Sequence, residues 1–191
     1  MKQKSSRMSP EMEAEVNKQL KEMLDNGICR PSNSPWSSRV ILVRKKDSSY
    51  RFVVDYRDLN KVTKKDAYPA ANWQDILDKM AGSRVFSFLD GASAYWSVPI
   101  REEDKEKTAF AVPKGQFEMN VMAFGLCNSQ STYQRVIDQV LSGIPQVEAY
   151  IDDACVHTRD IEDHVTYLKK TLDAYKMANM QLRLDKCRFA Y

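Results

Sequence analysis

Cysteine, glycine, proline and histidine are all scarce in this 191-residue chain: four, six, seven and two respectively. Cys29, Cys127, Cys155 and Cys187 stand far apart with no Cys-x-x-Cys pair. That excludes a disulfide framework and a zinc ribbon, and reads as reduced thiols of an intracellular protein. So little glycine and proline excludes collagen-like and low-complexity architectures. No apolar run approaches the roughly 18 residues of a membrane span, and the polar, basic start from Met1 to Arg7 is not a signal peptide. The two histidines, His157 and His164, have no metal-ligand company in the sequence and read as structural. What is abundant is ordinary core material: 43% hydrophobic and 29% charged residues, enough for one domain or two intimately packed subdomains.

The formal net charge is only +3, but it is unevenly spread. Arg39 to Lys65 holds nine basic residues against Asp47, Asp55 and Asp58, so this stretch carries +6 and the remainder −3. A polyanion held at one end would explain the asymmetry. A solvated charged hairpin would explain it as well, so charge alone does not decide.

Periodicity divides the chain further. Ser9-Pro10 caps a helix whose stripe is Met12, Val16, Leu20, Met23 and Leu24, with Gly27 just past its end. Residues 30–38 are too irregular for helix or strand. Val40–Val43 and Arg51–Tyr56 form a hairpin, and Asn72–Met80 a short helix with Ile76, Leu77 and Met80 inward. Val85–Leu89 is an apolar strand running into Asp90, and Thr108–Val112 with Phe117–Val121 a second hairpin. Ser129–Leu141 has helical spacing, with Tyr133, Val136, Ile137, Val140 and Leu141 on one face. Strands Val147–Ile151 and Ala154–His157 enclose Asp152-Asp153, and a helix follows from Asp160 with Ile161, Val165, Leu168, Leu172 and Tyr175 inward. Leu182–Leu184 closes the pattern as a strand. This order predicts an α+β fold with a split βαβ antiparallel sheet of the ferredoxin or RNA-recognition type, backed by helices.

Asp90 at one strand end and Asp152-Asp153 between two strands are the candidate chemistry. A lone acidic turn is usually a solvated turn. If the sheet brings these strand ends together, three carboxylates converge and are tolerable only around divalent cations. Oxygen-only ligands suit Mg²⁺, which takes its remaining ligands from water and substrate phosphates.

Ala149-Tyr150-Ile151-Asp152-Asp153 resembles the Tyr-x-Asp-Asp box of reverse transcriptases, and Phe88-Leu89-Asp90-Gly91-Ala92-Ser93-Ala94-Tyr95 resembles their first aspartate motif. Four more blocks follow suit in the right order. Arg30-Pro31-Ser32-Asn33-Ser34-Pro35-Trp36-Ser37-Ser38, Val53-Val54-Asp55-Tyr56-Arg57-Asp58-Leu59-Asn60, Phe124-Gly125-Leu126-Cys127-Asn128 and Leu182-Arg183-Leu184-Asp185-Lys186-Cys187-Arg188-Phe189 resemble polymerases of gypsy-class retrotransposons with long terminal repeats. The likeness spans about Ser9 to Phe189.

That resemblance implies a right-hand polymerase fold reduced to fingers and palm, and an RNA-directed DNA polymerase adding deoxynucleotides to a primer 3′-OH with two metal ions. Residues 1–8 would be a flexible basic N-terminus, 9–84 mainly fingers, 85–106 palm, 107–128 fingers again and 129–191 palm. Thumb, connection, ribonuclease H and integrase would belong to the rest of a Pol polyprotein. Asp90, Asp152, Asp153 and the Gly91 carbonyl would hold two Mg²⁺, with Mn²⁺ able to substitute, and Asp153 would be the weakest of the three carboxylate ligands. Lys186 would protonate the leaving pyrophosphate. Lys45 and Arg51 would clamp the triphosphate of the incoming dNTP. Ser93, Ala94 and Tyr95 would floor its sugar, with Tyr95 excluding a 2′-hydroxyl, and Phe124 would pack nearby. Tyr150 and Ile151 would meet the primer, and Arg39, Lys46, Lys64 and Lys65 the RNA or DNA template. The setting would be a cytoplasmic virus-like particle or the nucleus, with no membrane partner.

The sequence departs from that pattern at Gly91, where a larger apolar residue is usual, and at Arg39, Ala123 and Gln130, where proline is usual. Two other readings compete. One is a domesticated remnant that only binds nucleic acid or protein. The other is an RNA-recognition sheet, which wants basic and aromatic strand faces where this chain places Asp90, Asp152 and Asp153.

Overall fold

A computed structural model describes residues 3, 8–45, 48–69, 72–91, 94–151 and 153–191. In chain order the elements are α1 (Pro10–Asp25), β1 (Cys29–Pro31), β2 (Ser38–Arg44), β3 (Tyr50–Val54), α2 (Arg57–Val62), α3 (Trp73–Met80), β4 (Val85–Asp90) and α4 (Glu102–Lys105). Then follow β5 (Phe110–Val112), β6 (Gly115–Met119), α5 (Ser129–Val140), β7 (Val147–Tyr150), β8 (Asp153–Thr158) and α6 (Ile161–Met177). They form two compact units, one of residues 1–65 and 98–129, the other of 66–97 and 130–191. Residues 66–84, expected with the first part, thus fold with the second unit, and 98–106 fold with the first. Among the described residues no helix is long and apolar enough to cross a membrane.

In the first unit the Ser9 hydroxyl accepts the Met12 N–H at 3.3 Å, and Pro10 occupies the first turn of α1, where it needs no donor. Val16, Leu20 and Met23 are buried. The helix stops where Gly27 turns left-handed (φ 67°) and the Ile28 N–H returns to the Met23 carbonyl at 2.8 Å. A five-stranded sheet has the order β1-β6-β5-β2-β3. Val40 and Leu42 of β2 pack with Val54, Phe110, Phe117 and Met119 against the α1 stripe. Tyr56 lies in this core, its hydroxyl donating to the Thr108 carbonyl at 2.9 Å. The segment expected to be irregular, 30–38, overlaps β1, which gains its strand only by pairing with β6, Cys29 with Met119 and Pro31 with Phe117. Gln3, from the expected flexible tail, donates its N–H to the Ser37 carbonyl at 2.9 Å and accepts the Arg39 N–H at 2.9 Å. Cys29 here and Cys155 in the second unit are buried thiols, each pushed up to about 11 by that burial.

The second unit contains an antiparallel sheet of order β4-β8-β7. Leu182–Leu184 does not form a regular strand. Residues 182–191 instead run along the free edge of β4 through isolated pairings, Gly91 with Leu182 and Phe88 with Arg188. Tyr191 and Phe86 also exchange backbone hydrogen bonds at 2.8 and 3.1 Å. With α5 and α6 these segments follow the split βαβ order.

Two inward assignments fail. Leu77 of α3 is exposed and Ile76 is its buried residue. On α6, Ile161, Val165 and Leu172 are exposed, and the buried side chains are His164, Thr171 and Tyr175. The helix can turn that face inward because its polar groups are satisfied there. The Thr171 hydroxyl donates to the Tyr167 carbonyl at 2.8 Å. His164 Nε2 lies 2.6 Å from Ser87 Oγ and its Nδ1 3.1 Å from Thr158 Oγ1. Ser87 Oγ accepts the Ala190 N–H at 2.9 Å, and Thr158 Oγ1 donates to the Asp160 carbonyl at 2.8 Å. This directional chain fits a neutral imidazole carrying its proton on Nδ1.

Burial lowers the His164 pKa, and burial foremost lowers that of His157, whose Nδ1 meets Ser83 Oγ at 2.9 Å. The unfolded chain therefore binds protons that the native state refuses. Stability is full above pH ~6.5, the unfolded value, and falls as pH drops toward each depressed native value, by up to ~1.4 kcal/mol per pH unit and histidine. Urea unfolding should show constant stability from pH 8 to 7 and a decline from pH 6.5 to 5, less steep in His164→Gln. A flat profile would place the histidine protons elsewhere.

Candidate functional site

The β4·β8 ladder sets Asp90 opposite Asp153, at the last position of one strand and the first of the other. Tyr150, closing β7, pairs with the same Asp153. The Asp90 carbonyl accepts the Arg183 N–H at 2.9 Å, so the terminal segment steadies the strand end beyond which Gly91 lies. That segment also carries Lys186, whose ammonium stands 3.8 Å from Asp90 Oδ2. Partial burial raises the Asp153 pKa, the Asp90 charge raises it further, and Lys186 opposes both. Two carboxylates with an ammonium beside them form an oxygen-only site that suits a hard cation. Asp152 and Ser93 lie outside the described residues. Among the described residues no group of three or more His, Cys, Asp or Glu forms a complete metal cage.

The turn after Tyr150 is strained, because the β-branched Ile151 has φ 55°. Gln134 of α5, nearly buried, holds it: its Oε1 accepts the Ile151 N–H at 3.1 Å and its Nε2 donates to the Ala149 carbonyl at 3.3 Å. The Tyr150 ring meets the Trp73 indole with centroids 4.3 Å apart. Neither Gln134 nor Trp73 was legible as a site residue. The only trace of Gln134 is a polar residue beside Tyr133 on the buried side of an amphipathic helix. Tyr95, in the 3-10 turn Ala94–Ser97, is half-buried with its ring edge-on to Tyr133 at 5.8 Å.

In the first unit the Arg51 guanidinium lies 5.9 Å from the Phe124 ring centroid, so two expected nucleotide contacts are neighbours. Lys45 is exposed where the hairpin turns, its N–H donating to the Ser49 carbonyl at 2.8 Å. Lys46 lies outside the described residues, and Lys64 and Lys65 are exposed. Arg39 is less available than expected, because its guanidinium binds Asp55 at 2.9 Å. Asn60 laces the Phe124–Asn128 loop to α2, donating to the Gly125 carbonyl at 2.7 Å and accepting the Cys127 N–H at 2.9 Å. Gly125 needs its freedom there, with φ 91°.

The family model described as reverse transcriptase (RNA-dependent DNA polymerase) matches residues 43–191. The Pol polyprotein of transposon 297 from Drosophila melanogaster is 36% identical over 184 residues, covering 93% of this chain and 17% of that protein. That of transposon opus from the same fly is 37% identical over 185 residues, covering 93% and 18%. The transposon Tf2-3 polyprotein of Schizosaccharomyces pombe is 35% identical over 176 residues, covering 91% and 13%. The chain thus spans less than a fifth of these relatives. Among solved structures, the native prototype foamy virus protease–reverse transcriptase superposes with a TM-score of 0.90 at 27% identity, covering 98% of this chain and 25% of that one.

Proposed function

The chain belongs to the reverse transcriptase family, and from that premise we propose that it supplies the fingers–palm core of an RNA-directed DNA polymerase. The observation that carries this reading is the register of Asp90 against Asp153 with Lys186 at 3.8 Å. In this proposal Asp90, Asp152, Asp153 and the Gly91 carbonyl hold two Mg²⁺ ions, or Mn²⁺ in their place. The donor chemistry of the described part fits such ions. When bound, they supply stabilisation of the attacking and leaving oxygens of an in-line phosphoryl displacement.

The chain's own residues do the rest. Lys186 is the donor that delivers a proton to the departing pyrophosphate oxygen. Lys45 meets the triphosphate as a point charge and Arg51 as a planar fork. Phe124 stacks beneath Arg51 and so limits the orientations of its guanidinium. Ser93, Ala94 and Tyr95 floor the sugar, and Tyr150 and Ile151 place the primer end. Arg39, Lys46, Lys64 and Lys65 follow the template backbone. Foamy virus enzymes of the same fold form complexes with double-stranded DNA and with an RNA/DNA hybrid, which supports a primer–template partner. The likeness to Pol polyproteins supports a longer parent, and the setting proposed for it is a cytoplasmic virus-like particle or the nucleus.

Primer extension on an RNA template with Mg²⁺ tests this. Short, distributive products are expected, and Asp90→Asn should lower the rate on the order of 100-fold or more. Divalent metal should also raise the melting temperature by linkage, an effect that Asp90→Asn with Asp152→Asn removes. No extension, even with the downstream part of a Pol polyprotein supplied, would overturn the proposal.

A further inference from the structure

We propose that Trp73 is a positioning residue for the primer terminus, acting through Tyr150; this rests on the polymerase reading above. Trp73 opens α3 and is 57% exposed, an unusual place for a tryptophan with no core to fill. One face of its indole is spent on Tyr150, at 4.3 Å between centroids and 41° between planes.

The contact is not an accident of a loose helix. Glu148 and Tyr150 are two residues apart on β7 and so share a face of the sheet. Lys79 of α3 binds Glu148 at 2.9 Å while Trp73 covers Tyr150, so α3 is strapped along that face at both ends, with Ile76 buried between. On the backbone side Gln134 fixes the peptide before Tyr150 and the one after it. The left-handed Ile151 needs such support, since a β-branched residue leaves that conformation readily unless its surroundings hold it. Gln134 fixes the main chain, which leaves the Tyr150 ring torsions as the remaining freedom. Trp73 removes it. A primer end resting on Tyr150 is thereby held where its 3′-oxygen can attack, and small misplacements at that point are costly.

Single-turnover incorporation by this chain on a matched primer–template, across a dNTP series, tests the assignment with Trp73→Leu and Trp73→Phe. The leucine variant should lose about tenfold in maximal rate, with half-saturating dNTP and primer–template affinity within about twofold. Phenylalanine keeps an aromatic face and should recover to within about threefold. Proton–carbon spectra of labelled tyrosine, with the Tyr150 resonance identified by its loss in Tyr150→Phe, should show that ring shifting and broadening in the leucine variant only. Equal rates for wild type and leucine would overturn this inference and leave the polymerase reading standing. So would an unmoved Tyr150 signal, or a loss shared equally by both variants. Absence of extension by the unsubstituted chain, even with the downstream part of a Pol polyprotein supplied, would overturn both.

Discussion

Tyr95→Val is expected to raise incorporation of ribonucleotides relative to deoxyribonucleotides by about tenfold or more, a differential of ~1.4 kcal/mol between the two barriers. Tyr95 stands in the turn that follows Asp90 and leans edge-on against Tyr133 at 5.8 Å, so its ring is braced rather than free to swing aside. In the proposed role that braced ring fills the volume a ribose 2′-hydroxyl needs, and rejection is steric. Valine opens the volume while leaving Asp90 and Asp153 in place. The same change removes an aromatic pair worth about 1 kcal/mol, so some thermal stability and some deoxyribonucleotide efficiency should be lost as well. If Tyr95 only packs, the variant loses stability and both sugars suffer in proportion. Specificity constants for both nucleotides and a melting curve on one preparation separate these outcomes; an unchanged ratio in a folded, active variant removes Tyr95 from the sugar floor.

Asp55→Ala should cost the first unit about 2 kcal/mol of stability. Asp55 is buried, and accepts from Arg57 Nε at 2.8 Å and Nη2 at 2.7 Å, and from Arg39 Nε at 2.9 Å. The Arg57 hydrogen bonds foremost, then those of Arg39, hold its carboxyl well below the usual carboxylate range against the opposing effect of burial. Removing the anion leaves two guanidiniums adjacent without a partner. Breaking a fully buried pair costs ~3–5 kcal/mol, but both arginines retain water, so the smaller figure applies. The contribution is complete above pH ~3.9 and disappears as the pH falls below it toward the depressed native value. Urea titration at pH 7 and at pH 3 should therefore show a difference between wild type and variant that is ~1 kcal/mol smaller at the second pH, with the rest lost only on further acidification. Equal stability at pH 7 would mean that the cluster is replaced by solvent without loss.

Local chemistry was legible where it is written in adjacent residues. The Ser9-Pro10 cap, the α1 stripe and its Gly27 stop, the hairpin β2–β3 and the strand running into Asp90 are all signalled by residues a few positions apart. The pairing of Asp90 with Asp153 could be anticipated only conditionally, since periodicity predicts strands but not their register. β1 escapes for the same reason: its partner, β6, lies ninety residues on in the pairing of Cys29 with Met119. On α6 hydrophobicity alone points to the wrong face. His164 and Thr171 enter the interior by satisfying their own polar groups, which leaves Ile161 and Val165 outside. Trp73 and Gln134 gave no warning because their partners, Tyr150 and the peptides flanking it, are reached only after the sheet is assembled.

The strip formed by residues 182–191 along β4 has a consequence for how the protein is made. Ala190 reaches back to the Ser87 hydroxyl across 103 positions, so β4 emerges from the ribosome long before the segment that covers its second edge. Until then β4 presents unpaired backbone donors and acceptors, the kind of edge to which other chains adhere. Residues 1–65 and 98–129 can complete their sheet once β6 is synthesised, whereas the unit carrying Asp90 must wait for residues 182–191. During synthesis the carboxylate-bearing sheet is thus the later of the two to close, and the more exposed to mispairing while it waits.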